Sequence, residues 1–173
     1  MTTLLLLSGG MDSALCLKEH CNAIQETIGF DYGQPHAIEL NYAASLAKEY
    51  NKPFRKVILP FIPRINDVVF AGRNAVLLSH AASFAQANGM SSVMIGCNKD
   101  DEERFPDCRL SFLESFGSAL YSGYGVNLLY PLLGKTKKQI KEQATGMSTW
   151  TCYNPTKDNK PCNLCYSCKG LLK

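Results

Sequence analysis

Ser8-Gly9-Gly10-Met11-Asp12-Ser13 follows an unbroken run of leucines, Leu4 to Leu7. An apolar run that passes straight into glycines and hydroxyl side chains reads as a strand, a turn and the start of a helix. The free N–H groups and the dipole of a helix start favour an anion. Glycines let the backbone approach phosphate oxygens with no side chain in between. The loop is therefore suited to phosphate. It contains neither G-K-[ST] nor G-x-G-x-x-G, so the residues of the two commonest phosphate loops are missing. A tight turn with Ser or Asp as N-cap is the plain structural alternative.

A second constellation lies at the other end of the chain. Cys152, Cys162, Cys165 and Cys168 form a C-x9-C-x2-C-x2-C array. Short C-x2-C arcs turn consecutive thiolates toward one ion, and a fourth from further back completes a tetrahedron. Four thiolates without His or carboxylate at the same spacing describe a closed, structural zinc site; an iron-sulfur cluster or free thiols are the alternatives. A loop-rich segment of this size has little core, and zinc supplies folding free energy on the order of 10 kcal/mol in small zinc peptides. The other cysteines, Cys16, Cys21, Cys97 and Cys108, are dispersed. Clustering of one set argues for metal in a reducing compartment over secreted disulfides.

The elements that must position these residues alternate in type. Apolar runs at 2–7, 23–30, 54–59, 92–96 and 126–130 predict five strands, and helical patterns at 11–20, 37–50, 75–88 and about 110–122 lie between them. The expectation is a Rossmann-like α/β fold, a parallel five-stranded sheet with helices on both faces. An α/β domain over 1–146 would carry a small zinc module over 147–173. Loops leaving the carboxyl ends of parallel strands carry ligand sites, which directs attention to 60–74, 97–109 and the stretch after 146.

In 173 residues, 46% are hydrophobic and the net charge is +3, which suits one globular domain with a sizeable core. The lysines are scattered except at 134–141, where a solvated helix face is expected and no nucleic-acid surface. The leucine run lacks the basic flank and length of a signal peptide, so a cytoplasmic protein without membrane attachment is expected.

Asp31 ends the second strand, followed by Tyr32, Gly33, Gln34 and His36, where side chains reach a ligand or simply cap a turn. Arg73 and Asn74 precede an apolar helix; a planar guanidinium suits phosphate oxygens, and Asn74 is otherwise an N-cap. Asp107 and Arg109 flank Cys108, which reads as a bystander. Cys16 and Cys21 read as packing residues, and His20 and His80 as solvated or core residues.

The S-G-G-x-D-S loop resembles the PP-loop of the N-type ATP pyrophosphatases. With "DYGQPH" at 31–36, "AGRN" at 71–74, "FPDCR" at 105–109 and "TWTCY" before the cysteine array, the chain resembles the QueC family of 7-cyano-7-deazaguanine synthases over residues 4–168. The resemblance implies conversion of 7-carboxy-7-deazaguanine and ammonia to 7-cyano-7-deazaguanine (preQ0), with ATP and Mg²⁺, through an adenylated carboxylate and an amide. It implies nucleotide contacts from Leu7 through Ala14, that is Leu7, Ser8, Gly9, Gly10, Met11, Asp12, Ser13 and Ala14, together with Arg73 and Asn74. Ser8, Asp12, Ser13, Asp31 and Arg73 would serve catalysis, with Asp12 acting through Mg²⁺ or by ordering the loop. Tyr32, Gln34, His36, Asp107 and Arg109 would face the deazapurine, and zinc would be structural. An enzyme that stops at the amide, a PP-loop enzyme acting on tRNA, and a zinc-bearing nucleotide-binding protein are the alternatives; a homodimer is left open.

The chain departs from the family in Pro35, where a basic residue is common, in Ala71, where proline is common, and in its short passage from Ile140 to Trp150. It also ends soon after Cys168, without the family's further helix. Such compactness fits a phage-encoded member, working in the host cytoplasm toward modification of phage DNA.

Overall fold

The computed structural model describes residues 2–60 and 72–169; most of the 60–74 stretch lies outside them. Among the described residues five strands form one parallel sheet, β1 (Thr3–Leu6), β2 (Ile24–Asp31), β3 (Phe54–Ile58), β4 (Ser92–Met94) and β5 (Asn127–Leu129), in the order β3-β2-β1-β4-β5. The helices are α1 (Met11–His20), α2 (Glu39–Glu49), α3 (Arg73–Ala87), α4 (Leu110–Tyr124) and α5 (Lys137–Gln143). The predicted Rossmann-like arrangement is what forms, with element ends trimmed or extended by a few residues.

The leucine run shows why such a sheet needs continuous apolar sequence. Side chains alternate across a strand, so Leu4 and Leu6 pack with Ile28, Leu78, Val93 and Leu113 on one face. Leu5 and Leu7 pack with Leu15, Leu17, Leu46 and Ile140 on the other. Both faces are covered, so every position must be apolar. Cys16 is fully buried in the second cluster and burial pushes its thiol up, as fits a packing residue. His80 meets Phe30 edge-on, centroids 5.5 Å apart.

Around 134–141 the expected solvated lysine face forms at Lys138 and Lys141, which are exposed, and one lysine departs from it. Thr136 and Gln139 form a capping box that starts α5, Ile140 is fully buried, and Lys137 turns inward. Beyond α5 the chain has no further strand or helix among the described residues. It is tied back to the opening loop by Trp150, whose N–H bonds to the Gly9 carbonyl at 2.9 Å. No helix among the described residues is long and apolar enough to cross a membrane.

Candidate active site and metal centre

The sheet order reverses direction at β1 and β4, where loops leaving the two strands diverge and open a crevice. Residues 8–13 leave β1 there and residues 95–98 leave β4. The phosphate loop is tightly self-bonded. Ser13 Oγ donates to the Gly10 carbonyl at 3.0 Å and accepts from the Ser8 N–H at 3.3 Å, and the Ser8 and Ser13 hydroxyls lie 3.2 Å apart. Gly9 has φ +91°, and a Cβ there would overlap the Glu39 carbonyl oxygen and meet Ala43 N at 2.9 Å. A glycine is required because the first turn of α2 lies directly on the loop. Gly96 plays the matching part from β4, where a Cβ would sit 3.1 Å from Ser13 N.

Asp12 is held from two sides. Its Oδ1 accepts from Asn98 Nδ2 at 3.0 Å and its Oδ2 pairs with Lys137 Nζ. Asn98, fully buried, also donates to Asp101 at 2.6 Å while its own oxygen accepts from the backbone of Asp100 and Asp101. Burial, together with the Asp12 charge, pushes Asp101 up to about 6, and Lys137 acts against this. Asp12 and Asp101 are thus both engaged by neighbouring side chains.

A cavity of about 270 Å³ opens beside the loop. Of the residues singled out in the sequence, Leu7, Ser8, Gly10, Met11, Asp12, Ser13, Tyr32, His36, Arg73 and Asn74 line it. Gly9 and Ala14 lie behind the loop. Asp31 is not on the lining: the Lys56 ammonium, 2.7 Å away, holds its carboxyl below the usual range, and it accepts from the Gly33 N–H. Gln34 is buried and bonds to the Phe30 carbonyl. Asp107 accepts from the backbone N–H of Asn74 at 2.9 Å, capping α3 from a distance. Arg109 Nε donates outward to the Glu102 carbonyl. Cys108 faces the cavity, with its sulfur 3.3 Å from Asn74 Nδ2 and 3.6 Å from that of Cys97.

Several lining residues escape a reading of the sequence: Glu39, Asn98's partner Asp101, Lys137 and Tyr166. The capping boxes N-x-x-D at 98–101 and T-x-x-Q at 136–139 are visible in the sequence. They announce local turns, but not that those turns meet at Asp12. Arg73 donates to the Tyr32 hydroxyl at 3.5 Å, and among the described residues no carboxylate lies within ion-pair distance of it. His36 is 3% exposed, its Nδ1 has no hydrogen-bond partner among the described residues, and burial with the nearby Arg73 charge pushes it down to about 4. It is neutral at physiological pH.

The cysteine array forms one wall. The four sulfurs lie within 4.8 Å of one another, with Cys152 to Cys162 at 3.5 Å, Cys162 to Cys168 at 3.9 Å and Cys152 to Cys165 at 4.0 Å. Four sulfurs about 2.3 Å from a tetrahedral zinc would be about 3.8 Å apart, so the donor set fits zinc. N–H groups of Leu164 and Cys165 point at Cys162 Sγ and hold that thiol below its usual range, favouring the thiolate a metal requires. Trp150 Nε1 bonds to the Cys152 carbonyl at 2.7 Å, and Arg104 stacks 3.5 Å over the Tyr166 ring. The metal segment is thereby joined to both the phosphate loop and the 97–109 loop.

Comparisons with known proteins agree with this layout. The family model described as "Queuosine biosynthesis protein QueC" matches residues 2–71 and 64–171. A 7-cyano-7-deazaguanine synthase of Prochlorococcus marinus (strain NATL1A) is 32% identical, the match covering 97% of this chain and 90% of that protein. One from Leptospira interrogans is 31% identical over 94% of this chain and 81% of its own length. In fold, the chain is similar to NH3-dependent NAD synthetase from Campylobacter jejuni, with TM-score 0.55, 16% identity, and coverage of 83% and 62% of the two chains. This chain belongs to the QueC family of queuosine biosynthesis proteins, a family of enzymes.

Proposed function

We propose that the protein makes 7-cyano-7-deazaguanine from 7-carboxy-7-deazaguanine, ammonia and ATP. The observation that carries this reading is the placement of a buried guanidinium, Arg73, which among the described residues has no carboxylate at ion-pair distance, in the cavity that the phosphate loop opens onto. A charge withdrawn from water calls for an anion, and two are required here: the phosphates of ATP and the carboxylate to be activated. The names of the relatives support the substrate.

The chemistry follows from the difficulty of the bond. A carboxylate repels nucleophiles and has no leaving group. Its oxygen would attack the α-phosphorus, and pyrophosphate would leave into the loop of Ser8, Gly9, Gly10 and Ser13, whose N–H groups and hydroxyls are fixed beforehand. Ammonia would then displace AMP to give the amide. The amide oxygen would be adenylated in turn, and loss of AMP would give the nitrile. The chain's task is to position and to balance charge. Asp12, clamped by Asn98 and Lys137, holds the loop, and Arg73 holds an anion. Asn74, Tyr32 and His36 line the heterocycle's side. Cys152, Cys162, Cys165 and Cys168 would hold zinc, which would fix the segment that places Tyr153, Tyr166 and Ser167 in the wall. Mg²⁺ enters with ATP, and the work is cytoplasmic.

Mass spectrometry of the protein with ATP, Mg²⁺, ammonium and 7-carboxy-7-deazaguanine tests this. Nitrile with AMP is expected. Amide alone would make the protein an amidating member, and no ATP use with this acid would refute the assignment.

A further inference from the structure

Between ammonia and a nitrile nitrogen three N–H bonds break. One proton leaves as ammonia displaces AMP, one as the adenylated amide becomes the neutral imidate, and one as that imidate expels AMP. The reaction proposed above, on which this inference rests, thus needs a base that faces the reacting carbon and is recharged between steps. We propose that Glu39 is that base, taking each proton from the substrate nitrogen and releasing it to solvent.

The geometry separates Glu39 from the other carboxylates on the cavity wall, Asp12 and Asp101, and from the buried thiol of Cys97. It stands in the first turn of α2, whose backbone lies against Gly9, so its carboxyl is placed beside the phosphate loop. Its Oε1 accepts one long hydrogen bond, 3.4 Å from Gln34 Nε2, and lies 3.7 Å from His36 Nε2. Its Oε2 accepts none among the described residues. Asp12 is paired with Lys137, and Asp101 is bound by Asn98. Cys97 is a buried thiol pushed up by its hydrogen bond with Cys108 and by burial.

The charged and titratable groups that face Glu39 are His36, Arg73 and Tyr153. His36 stays neutral, so it neither neutralises the carboxylate nor competes for the proton. Arg73 lowers the proton affinity of Glu39 and burial raises it more, leaving the carboxyl at about 7. A base with that affinity is about half ionised near pH 7 and returns its proton readily.

The test compares wild type with Glu39→Gln in two assays. Exchange of labelled pyrophosphate into ATP, dependent on 7-carboxy-7-deazaguanine, reads adenylation, which needs no base. Mass spectrometry of amide and nitrile reads the nitrogen steps. Glu39→Gln is expected to keep exchange near the wild-type rate while amide and nitrile formation falls by about 10²- to 10⁴-fold. With the concentration of free ammonia held constant, the wild-type rate of amide formation should drop about tenfold per pH unit below pH 7, and the variant should lose that limb. Wild-type product formation in Glu39→Gln, or an equal fall of exchange and product, would overturn the assignment of Glu39 while leaving the reaction intact. Absence of carboxylate-dependent exchange in the wild type itself would instead overturn the reaction, and the base with it.

Discussion

Replacing Glu39 by Gln should stabilise the free protein, and by an amount that depends on pH. In an unfolded chain the carboxyl titrates near 4.5; in the fold burial moves it to about 7, against the opposing effects of Gln34 and Arg73. The folded state therefore binds this proton more tightly than the unfolded state. The destabilisation is absent below pH 4.5, grows through the window from 4.5 to 7, and is constant above it. Moving a carboxyl from 4.5 to 7 corresponds to roughly 3 kcal/mol. Glutamine has the same shape, keeps a partner for Gln34 and is neutral at every pH. The variant should match wild type at pH 4.5 and exceed it by up to about 3 kcal/mol at pH 8, which for a chain of this size is roughly 6–12 °C in Tm. His36 has the opposite sign: pushed down to about 4, its contribution is lost as pH falls from 6.5 toward 4. Being common to both proteins, it cancels in the difference. Scanning calorimetry at pH 4.5, 6 and 8 measures the effect. A difference that does not grow with pH, or a variant less stable at pH 8, would refute the argument that this carboxyl is held at a cost to the fold.

Three other perturbations have defined outcomes. Gly9→Ala introduces a side chain at φ +91° against the α2 backbone; urea unfolding should show a loss of at least about 2 kcal/mol, and a neutral change would mean that α2 does not press on the loop. Removing zinc with a chelator, or Cys165→Ser, should release the sole tryptophan, Trp150, 6% exposed and bonded to the Cys152 carbonyl; its emission should shift to the red, and elemental analysis should fall from one zinc per chain. An unmoved emission would separate the metal from the cavity wall. Lys137→Met leaves Asp12 and Asp101 without their cation, so stability should fall by about 2 kcal/mol at pH 8 and by less at pH 5, where Asp101 is largely protonated. An equal loss at both pH values would show that Lys137 contributes only packing.

Much of the molecule is written locally. The alternation of apolar runs with helical patterns predicts the parallel sheet because parallel strands, buried on both faces, must be apolar throughout, as the two-way split of Leu4 to Leu7 shows. The phosphate loop and the cysteine array are legible for the same reason: each is a short contiguous segment whose own spacing sets its geometry. The sequence alone thus determined the fold class, the glycine-rich loop and the cysteines that cluster. The tertiary structure decided which distant residues meet them. Lys137 lies 125 positions from Asp12, Asn98 comes from the loop after β4, and Trp150 reaches back to Gly9. No local pattern distinguishes Lys137 from its neighbours on α5, because inward or outward direction depends on how that helix packs against α1. Asp31, conspicuous in the sequence, instead pairs with Lys56 of the adjacent strand. Glu39 owes its altered proton affinity to burial beside the loop, a property that exists only once α2 has closed on Gly9.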